Sequence, residues 1–236
     1  MNHGLIPNHY FDSEPDELLG AYLSRYLTEE IIAEGISRNI PAFSRFLETA
    51  AANNAQQPDY TGFASDAGVS RQTVQNYFQI LKDTLIGYEL LAFTKTGKRK
   101  AMTSPKFYFF DMGVVRALRR FERVQQGTKE FGDFFEHFIF LELRAWIDYT
   151  HPTYTLHYWR STSGFEVDFI LNQKIAIEVK STHRPKEFKG LKALGEENIM
   201  DKYLMVCHVK ELYLEGNIMV YPWEKFLEDL WAGKIL

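Results

Sequence analysis

The sequence has one cysteine, Cys207, in 236 residues, and it has no long apolar run. A single thiol excludes an internal disulfide and a zinc site built from several cysteines. No segment approaches the ~18 uninterrupted apolar residues that a membrane-spanning helix needs. The N-terminus also lacks the basic and then apolar pattern of a signal peptide. We therefore expect a cytoplasmic protein that does not bind a membrane.

An overall excess of basic residues is missing as well, because the net charge is −4. That average argues against nucleic-acid binding, but the charges are unevenly distributed. Residues 39–124 contain twelve Lys or Arg against seven acids, whereas residues 1–38 and 125–236 are both acidic. We therefore divide the chain into three parts. Only the middle part has the excess of basic residues that favours phosphate binding.

Residues 1–38 predict a helical segment, with a helix from Pro15 to Glu34. A second helix is expected from Pro41 to Ala52, because proline is tolerated at the first helical position. Residues 60–86 then have the spacing of a helix-turn-helix, with a turn at Gly68 and Ser70 as the N-cap of the longer helix. The buried stripe predicted for that helix consists of Val74, Tyr77, Phe78, Leu81 and Leu85.

Two strand-like runs, 88–94 and 106–110, follow the helix-turn-helix and are joined by a basic tip at 95–100. This order is typical of a winged helix, so residues 39–124 are interpreted as a winged helix-turn-helix domain. Binding to DNA would place the exposed helix front and the tip on the nucleic acid; the candidate residues are Arg71, Gln72, Gln75, Lys98, Arg99 and Lys100. A protein-binding winged helix with solvated cations is the alternative. A further basic stripe is expected on a helix after Gly113, formed by Arg116, Arg119, Arg120 and Arg123.

Residues 164–180 alternate between apolar and polar side chains on both sides of Asn172-Gln173-Lys174, which predicts a β-hairpin. With a three-residue loop, Leu171 pairs with Ile175, and the same register places Asp168 opposite Glu178. Two like charges across a ladder destabilise it unless a cation lies between them. An ordinary solvent-facing hairpin is the alternative. Ile170 and Ala176 interrupt the polar face, which favours a face that is partly covered.

A helix from about Gly132 to Tyr149 is expected to carry Glu136 on its apolar side, where a carboxylate needs a partner. A salt bridge with a nearby arginine is the interpretation preferred for Glu142, and His137 is placed on the polar arc of the same helix. Strands at 154–159, 203–207 and 218–221 and a closing helix from Pro222 to Trp231 complete an α/β unit. Beyond Lys180, a basic stretch supplies further candidates for phosphate contact: Arg184, Lys186 and Lys189.

A helix with Glu136, a strand with Asp168, and Glu178-Val179-Lys180 ten positions later resemble the PD-(D/E)XK nucleases. The resemblance implies a restriction-endonuclease-like mixed sheet flanked by helices for residues 125–236, within an α+β or α/β chain. It also implies that Asp168, Glu178, the Val179 carbonyl and Glu136 hold Mg²⁺ or Mn²⁺. Lys180 would then orient water or stabilise developing charge, and Asp168, Glu178, Lys180 and Glu136 would be the catalytic set.

The whole chain resembles the C-terminal region of uncharacterised prokaryotic AAA-type ATPases. The matching stretches are Tyr-Leu-Thr-Glu-Glu-Ile (26–31), Arg-Asn-Ile-Pro-Ala-Phe-Ser-Arg-Phe-Leu (38–47), residues 60–86, Lys-Phe-Tyr-Phe-Phe-Asp-Met-Gly (106–113), Tyr-Trp-Arg (158–160), Glu-Val-Asp-Phe (166–169) and Glu-Val-Lys (178–180). A phosphate-binding Gly-x-x-x-x-Gly-Lys-Ser/Thr sequence is absent, so we expect no ATP site.

Three functions follow as expectations. The first is a Mg²⁺-dependent nuclease-like module that binds DNA, or alternatively RNA, and hydrolyses phosphodiester bonds. The second is a non-catalytic module that binds nucleic acid or a partner protein and directs an ATPase domain. The third is a transcription-factor-like winged helix with an appended sensor domain. The fold alone does not decide among them.

Overall fold

The computed structural model describes residues 2–11, 15–23, 39–182 and 188–236. The chain forms two compact units: the first contains Met1–Glu89 and Lys106–Gln125, and the second contains Leu90–Pro105 and Gln126–Leu236. The division differs from the predicted boundaries at 90–105, the segment expected to form the wing. Backbone bonds explain the difference, because Phe93 N–H donates to Tyr158 O and Met102 N–H donates to Arg160 O, at 2.7 Å each.

The first unit is mostly helical. Its helices are α1 (Pro7–Tyr10), α2 (Pro15–Ala21), α3 (Ile40–Ala52), α4 (Tyr60–Ala67), α5 (Arg71–Asp83) and α6 (Met112–Leu118). It also contains strand β2 (Lys106–Phe109) and the first half of β1 (Gly87–Ala92), which continues into the second unit. The helix predicted over 15–34 is observed from Pro15, and most of its remainder lies outside the described residues.

The predicted helix-turn-helix is present as α4, a turn and α5. Gly68 has a φ of 68°, a left-handed conformation that glycine adopts without steric cost. Ser70 Oγ accepts a hydrogen bond from Thr73 N–H at 3.1 Å and caps α5, as expected. The buried stripe is confirmed except for Leu85, which is 65% exposed. Helix α5 ends at Asp83, and Leu85 lies beyond it with a φ of 60°.

The second unit is a mixed sheet with helices. Its strands are β3 (Leu156–Arg160), β4 (Glu166–Leu171), β5 (Ile175–Lys180), β6 (Lys202–Cys207), β7 (Tyr213–Glu215) and β8 (Ile218–Pro222), and its helices are α7 (Lys129–Thr150), α8 (Lys189–Gly195) and α9 (Trp223–Trp231). From the end of β1, the strand order is β1-β3-β4-β5-β6-β8-β7. The predicted mixed α/β class is confirmed at this level. Within the described ranges, no helix has the length and apolar character needed to cross a bilayer.

The hairpin β4–β5 lies in the middle of this sheet, and both of its faces are covered. Its predicted register is confirmed by the pair Leu171↔Ile175. Ile170 and Ala176 belong to one buried cluster with Phe188 and Leu191 at α8. The interpretation as a solvent-facing hairpin is therefore wrong, because α8 covers the face on which the charged residues lie.

A β-bulge interrupts the pairing of β3 with β4. His157 pairs with Ile170 and Trp159 pairs with Val167, so Asp168 and Phe169 together oppose the one residue between them on β3. As a result, Val167 joins the buried cluster of Ile170. The alternating pattern predicted Val167 on the face of Phe169, which is wrong because a bulge shifts the period by one residue.

Candidate functional site

Asp168 is held at the bulge by the backbone of the neighbouring strand. Its Oδ2 atom accepts a hydrogen bond from Val179 N–H at 2.8 Å, and the residue is 5% exposed. Bulges commonly re-aim a side chain next to a functional site. The hydrogen bond thus fixes one carboxylate oxygen of β4 against β5.

The amine of Lys180 lies among three oxygen atoms. Its Nζ is 2.6 Å from Glu178 Oε1, 3.1 Å from Val179 O and 3.6 Å from Asp168 Oδ2. The Lys180 side chain is 32% exposed, whereas those of Asp168 and Glu178 are each 7% exposed. The predicted convergence of Asp168, Glu178 and Lys180 is therefore observed, with an ammonium beside two buried carboxylates.

Glu178 has one carboxylate oxygen without a hydrogen-bond partner among the described residues. This buried atom is Oε2. A Cβ placed on Gly190 of α8 would lie 3.5 Å from that oxygen and only 1.7 Å from Glu166 O. Glycine at position 190 therefore allows α8 to approach β4 and to cover the Glu178 carboxylate.

Burial and neighbouring charges shift the pKa values of two residues at the site, Glu178 and Lys180. Burial raises the pKa of Glu178 well above its usual range, and the charges of Asp168 and Glu136 raise it further, while Lys180 opposes the shift. Burial on its own would lower the pKa of Lys180, but the charges of Asp168, Glu178 and Glu136 outweigh burial and raise it. Glu136 of α7 therefore acts electrostatically on both groups. A bound cation would oppose the shift of Glu178, because a nearby positive charge favours the ionised form of a carboxyl group.

Glu166 Oε2 lies 3.7 Å from Nε of Arg160, its cross-strand partner on β3. Two side chains of α7 differ from the sequence-based interpretation. Glu142 accepts a hydrogen bond from the indole N–H of Trp231 at 3.0 Å, where a salt bridge with arginine was expected. His137 is 1% exposed, although the helical pattern placed it on a polar arc.

The structure places the predicted nucleic-acid contacts in three different settings. Arg71, Gln72 and Gln75 of α5 are exposed, and so is Lys189 at the start of α8. At the basic tip, Lys98 Nζ donates to Glu196 O, while the Arg99 guanidinium contacts Glu196 Oε2 at 2.6 Å and Lys100 is exposed. Arg184 and Lys186 lie outside the described residues.

The predicted basic stripe at 116–123 is wrong in its first member. Arg116 is 4% exposed and donates hydrogen bonds to Asn2 O, Phe121 O and Glu122 O. It also forms an ion pair with Asp16. Its guanidinium is satisfied inside the first unit and is not available to a phosphate.

The residues at the site fit a divalent cation in part. Two carboxylates and a backbone carbonyl are the hard oxygen ligands that Mg²⁺ and Mn²⁺ prefer, and none of the described residues donates a hydrogen bond to Glu178 Oε2. Against this, Lys180 Nζ already contacts an oxygen of each of the three groups. Among the described residues, no group of three or more His, Cys, Asp or Glu is placed to hold a metal ion. A cation would therefore require the amine to move, which its exposure permits.

Sequence reasoning missed two residues, Gly190 at the site and Glu197 beyond the end of α8. Gly190 carried no motif, and its close approach to Glu166 O depends on the packing of α8. Glu197 follows α8 and binds the backbone of the basic tip. No local signal marks Glu197, because it stands between Glu196 and Asn198 in the sequence and its partners lie about a hundred positions earlier.

Comparison with known families yields two matches. A model described as Domain of unknown function (DUF8612) matches residues 3–125, and one described as Domain of unknown function (DUF4143) matches residues 131–226. The latter is a domain found in proteins associated with AAA-type ATPases. No curated protein and no solved structure matches the chain. Because the first model covers just over half of the 236 residues, the chain belongs to the DUF8612 family.

Proposed function

We propose that the second unit is a nuclease-like module that uses Mg²⁺ or Mn²⁺ to hydrolyse phosphodiester bonds of DNA. One observation carries this proposal: two buried carboxylates and a lysine from adjacent strands meet within 4 Å, and Glu178 Oε2 has no hydrogen-bond partner in residues 39–182 or 188–236 or in the other described parts of the chain. The PD-(D/E)XK resemblance supports the same chemistry. Buried charges that cost stability and lack a structural purpose are typical of functional sites.

Each residue has a distinct task in this proposal. Asp168, Glu178 and the Val179 carbonyl would hold the cation, and Glu136 adds negative charge from α7. A bound cation would supply Lewis-acid activation and would neutralise charge on the phosphate. The Val179 N–H fixes Asp168 Oδ2, so the carboxylate needs little reorganisation. Lys180, displaced from the three oxygens, donates to the attacking water or to the phosphate as charge develops.

The first unit would bind the nucleic acid in the proposal. Its helix-turn-helix exposes Arg71, Gln72 and Gln75 on α5. These side chains suit contacts with phosphates and base edges. The chain would act together with an AAA-type ATPase, as the context of the second family match suggests.

A second candidate is a non-catalytic module that binds nucleic acid or a partner protein and directs an ATPase. The position of Lys180 Nζ favours it, because the amine satisfies the oxygen atoms that would otherwise hold a cation. In that case the cluster stabilises the hairpin as a buried ion pair.

Cleavage of DNA tests the first candidate. Supercoiled plasmid and branched DNA are incubated with wild type, Asp168→Ala and Lys180→Ala in Mg²⁺ or Mn²⁺. We expect cation-dependent nicking by the wild type and a loss of at least about a hundredfold in rate for both variants, since each removes charge from the reacting centre. The matched controls are Asp201→Ala and Lys210→Ala, which change two exposed residues of the second unit. Both control variants should cleave DNA at the wild-type rate.

Two outcomes would remove the proposal. If the folded wild type cleaves no substrate with either cation, the non-catalytic candidate stands. If cleavage survives both Asp168→Ala and Lys180→Ala, the activity arises elsewhere.

A further inference from the structure

The basic tip of the second unit closes around a carboxylate of the same chain. Gly97 N–H and Lys98 N–H donate to Glu197 Oε2 at 2.9 and 2.8 Å, and Arg99 N–H donates to Glu197 Oε1 at 2.8 Å. Three successive backbone N–H groups directed at one anion form the concave arrangement that binds oxyanions in many proteins. Glu197 is 9% exposed, so these donors replace most of its water.

The donors stabilise the charged form of Glu197. Burial on its own would raise the pKa of this carboxyl, but the hydrogen bonds from Lys98, Gly97 and Arg99 outweigh burial and lower it. The loop therefore offers a site whose electrostatics favour an anion.

The shape of this loop does not depend on Glu197 alone. Thr96 Oγ1 donates to Arg99 O at 2.7 Å and closes the turn from within. The Arg99 guanidinium lies 5.3 Å from the ring centroid of Phe165, which holds its stem against the second unit. The concave surface is thus organised by contacts that would remain if Glu197 withdrew.

Two cationic side chains flank the same concave surface, and both donate hydrogen bonds to residues at the end of α8. Lys98 Nζ donates to Glu196 O. Arg99 donates to Ala193 O at 3.0 Å and to Glu196 Oε2 at 2.6 Å. Residues 193–197 therefore satisfy the loop's backbone donors and two of its cationic side chains together. A phosphate group has the negative charge and the several acceptor oxygens needed to replace this set.

We propose that Gly97–Arg99 form a phosphate-binding site in which the Glu197 side chain is an internal competitor. The ligand is a phosphodiester group of a nucleic acid, so this part of the inference rests on the proposed function. Glu197 leaves the loop when a phosphate enters, and the apparent affinity for phosphate equals the intrinsic affinity multiplied by the fraction of molecules in the open state. The sequence-predicted phosphate contacts at Lys98 and Arg99 then belong to the open state.

Removal of the internal competitor tests the proposal. Binding of inorganic phosphate is followed through the amide resonances of residues 97–99, and binding of a short DNA duplex by fluorescence anisotropy at fixed salt without divalent cations. Glu197→Ala is expected to bind both probes at least about fivefold more tightly than wild type. Glu197→Gln, which keeps the side-chain size, should show a smaller gain.

Glu211→Ala is the matched control, because it removes the same charge from an exposed position of the same unit. If Glu197→Ala gains no more affinity than this control, Glu197 only ties the loop to α8 and the proposal is wrong. Should Glu197→Ala fail to fold, phosphate titration of the wild type decides: shifts of the three amides support the site, and their absence overturns it. These readouts need no cleavage, so an inactive but phosphate-binding protein would refute the proposed function alone.

Discussion

At the scale of single residues, the position of Gly190 determines how closely α8 covers the candidate site. A Cβ there would overlap Glu166 O at 1.7 Å, and a backbone atom cannot swing away as a flexible side chain can. The Glu178 carboxylate lies directly beside this contact. The absence of a side chain at Gly190 therefore allows the start of α8 to lie beside the buried Glu178 carboxylate.

Gly190→Ala should push the start of α8 away from β4 and lower the free energy of unfolding by about 1–3 kcal/mol, as overpacking usually does. Urea denaturation measures the change. Gly195→Ala in the same helix is the control, because its Cβ would meet Tyr203 at an ordinary 3.9 Å. Equal stabilities of the two variants would show that α8 does not pack as described.

The sequence predicted which side chains converge at the candidate site, but it did not predict the residues that surround them. Asp168, Glu178 and Lys180 could be grouped from strand period and loop length, because a three-residue turn fixes the register. The bulge at Asp168 could not be predicted, since it depends on the pairing of β4 with β3. Likewise the bonds between Glu197 and Gly97 connect segments a hundred positions apart, which no local pattern encodes.

At the scale of secondary-structure elements, the helix-turn-helix was predictable because its signals are local. Ser70 caps α5 through Thr73 N–H, and Gly68 supplies the left-handed turn before it. Behind the turn, Phe46, Phe63 and Phe78 pack with centroid distances of 4.9–6.1 Å. The expected wing could not be assigned in this way, because Leu91 and Ala92 pair with β3 and residues 90–105 belong to the second unit.

Ser70→Ala should destabilise α5 by about 1 kcal/mol, because Thr73 N–H loses its side-chain acceptor. Amide hydrogen exchange along α5 measures the local effect, and Ser70→Asp should restore protection. Ser65→Ala, an exposed change inside α4, is expected to leave exchange of α5 unchanged. Unaltered protection in Ser70→Ala would mean that the cap contributes nothing to the helix.

At the scale of the whole molecule, the two compact units and the two family matches divide the chain in related but different ways. The first family match ends at residue 125 and the second begins at residue 131. Spatial contacts, in contrast, assign residues 90–105 to the second unit. The chain therefore leaves the second unit for β2 and α6 and returns to that unit at residue 126. The proposed DNA-binding helix and the proposed catalytic residues lie in different units.

Calorimetric titration of Mn²⁺ tests most directly whether Asp168, Glu178 and Val179 O form a cation site for which the Lys180 amine competes. We predict one bound ion in the wild type, about tenfold tighter binding by Lys180→Ala (~1.4 kcal/mol) and no binding by Asp168→Asn. Tighter binding is expected because the amine that contacts all three groups is gone. Absence of binding by both wild type and Lys180→Ala, or binding unchanged by Asp168→Asn, would contradict the account.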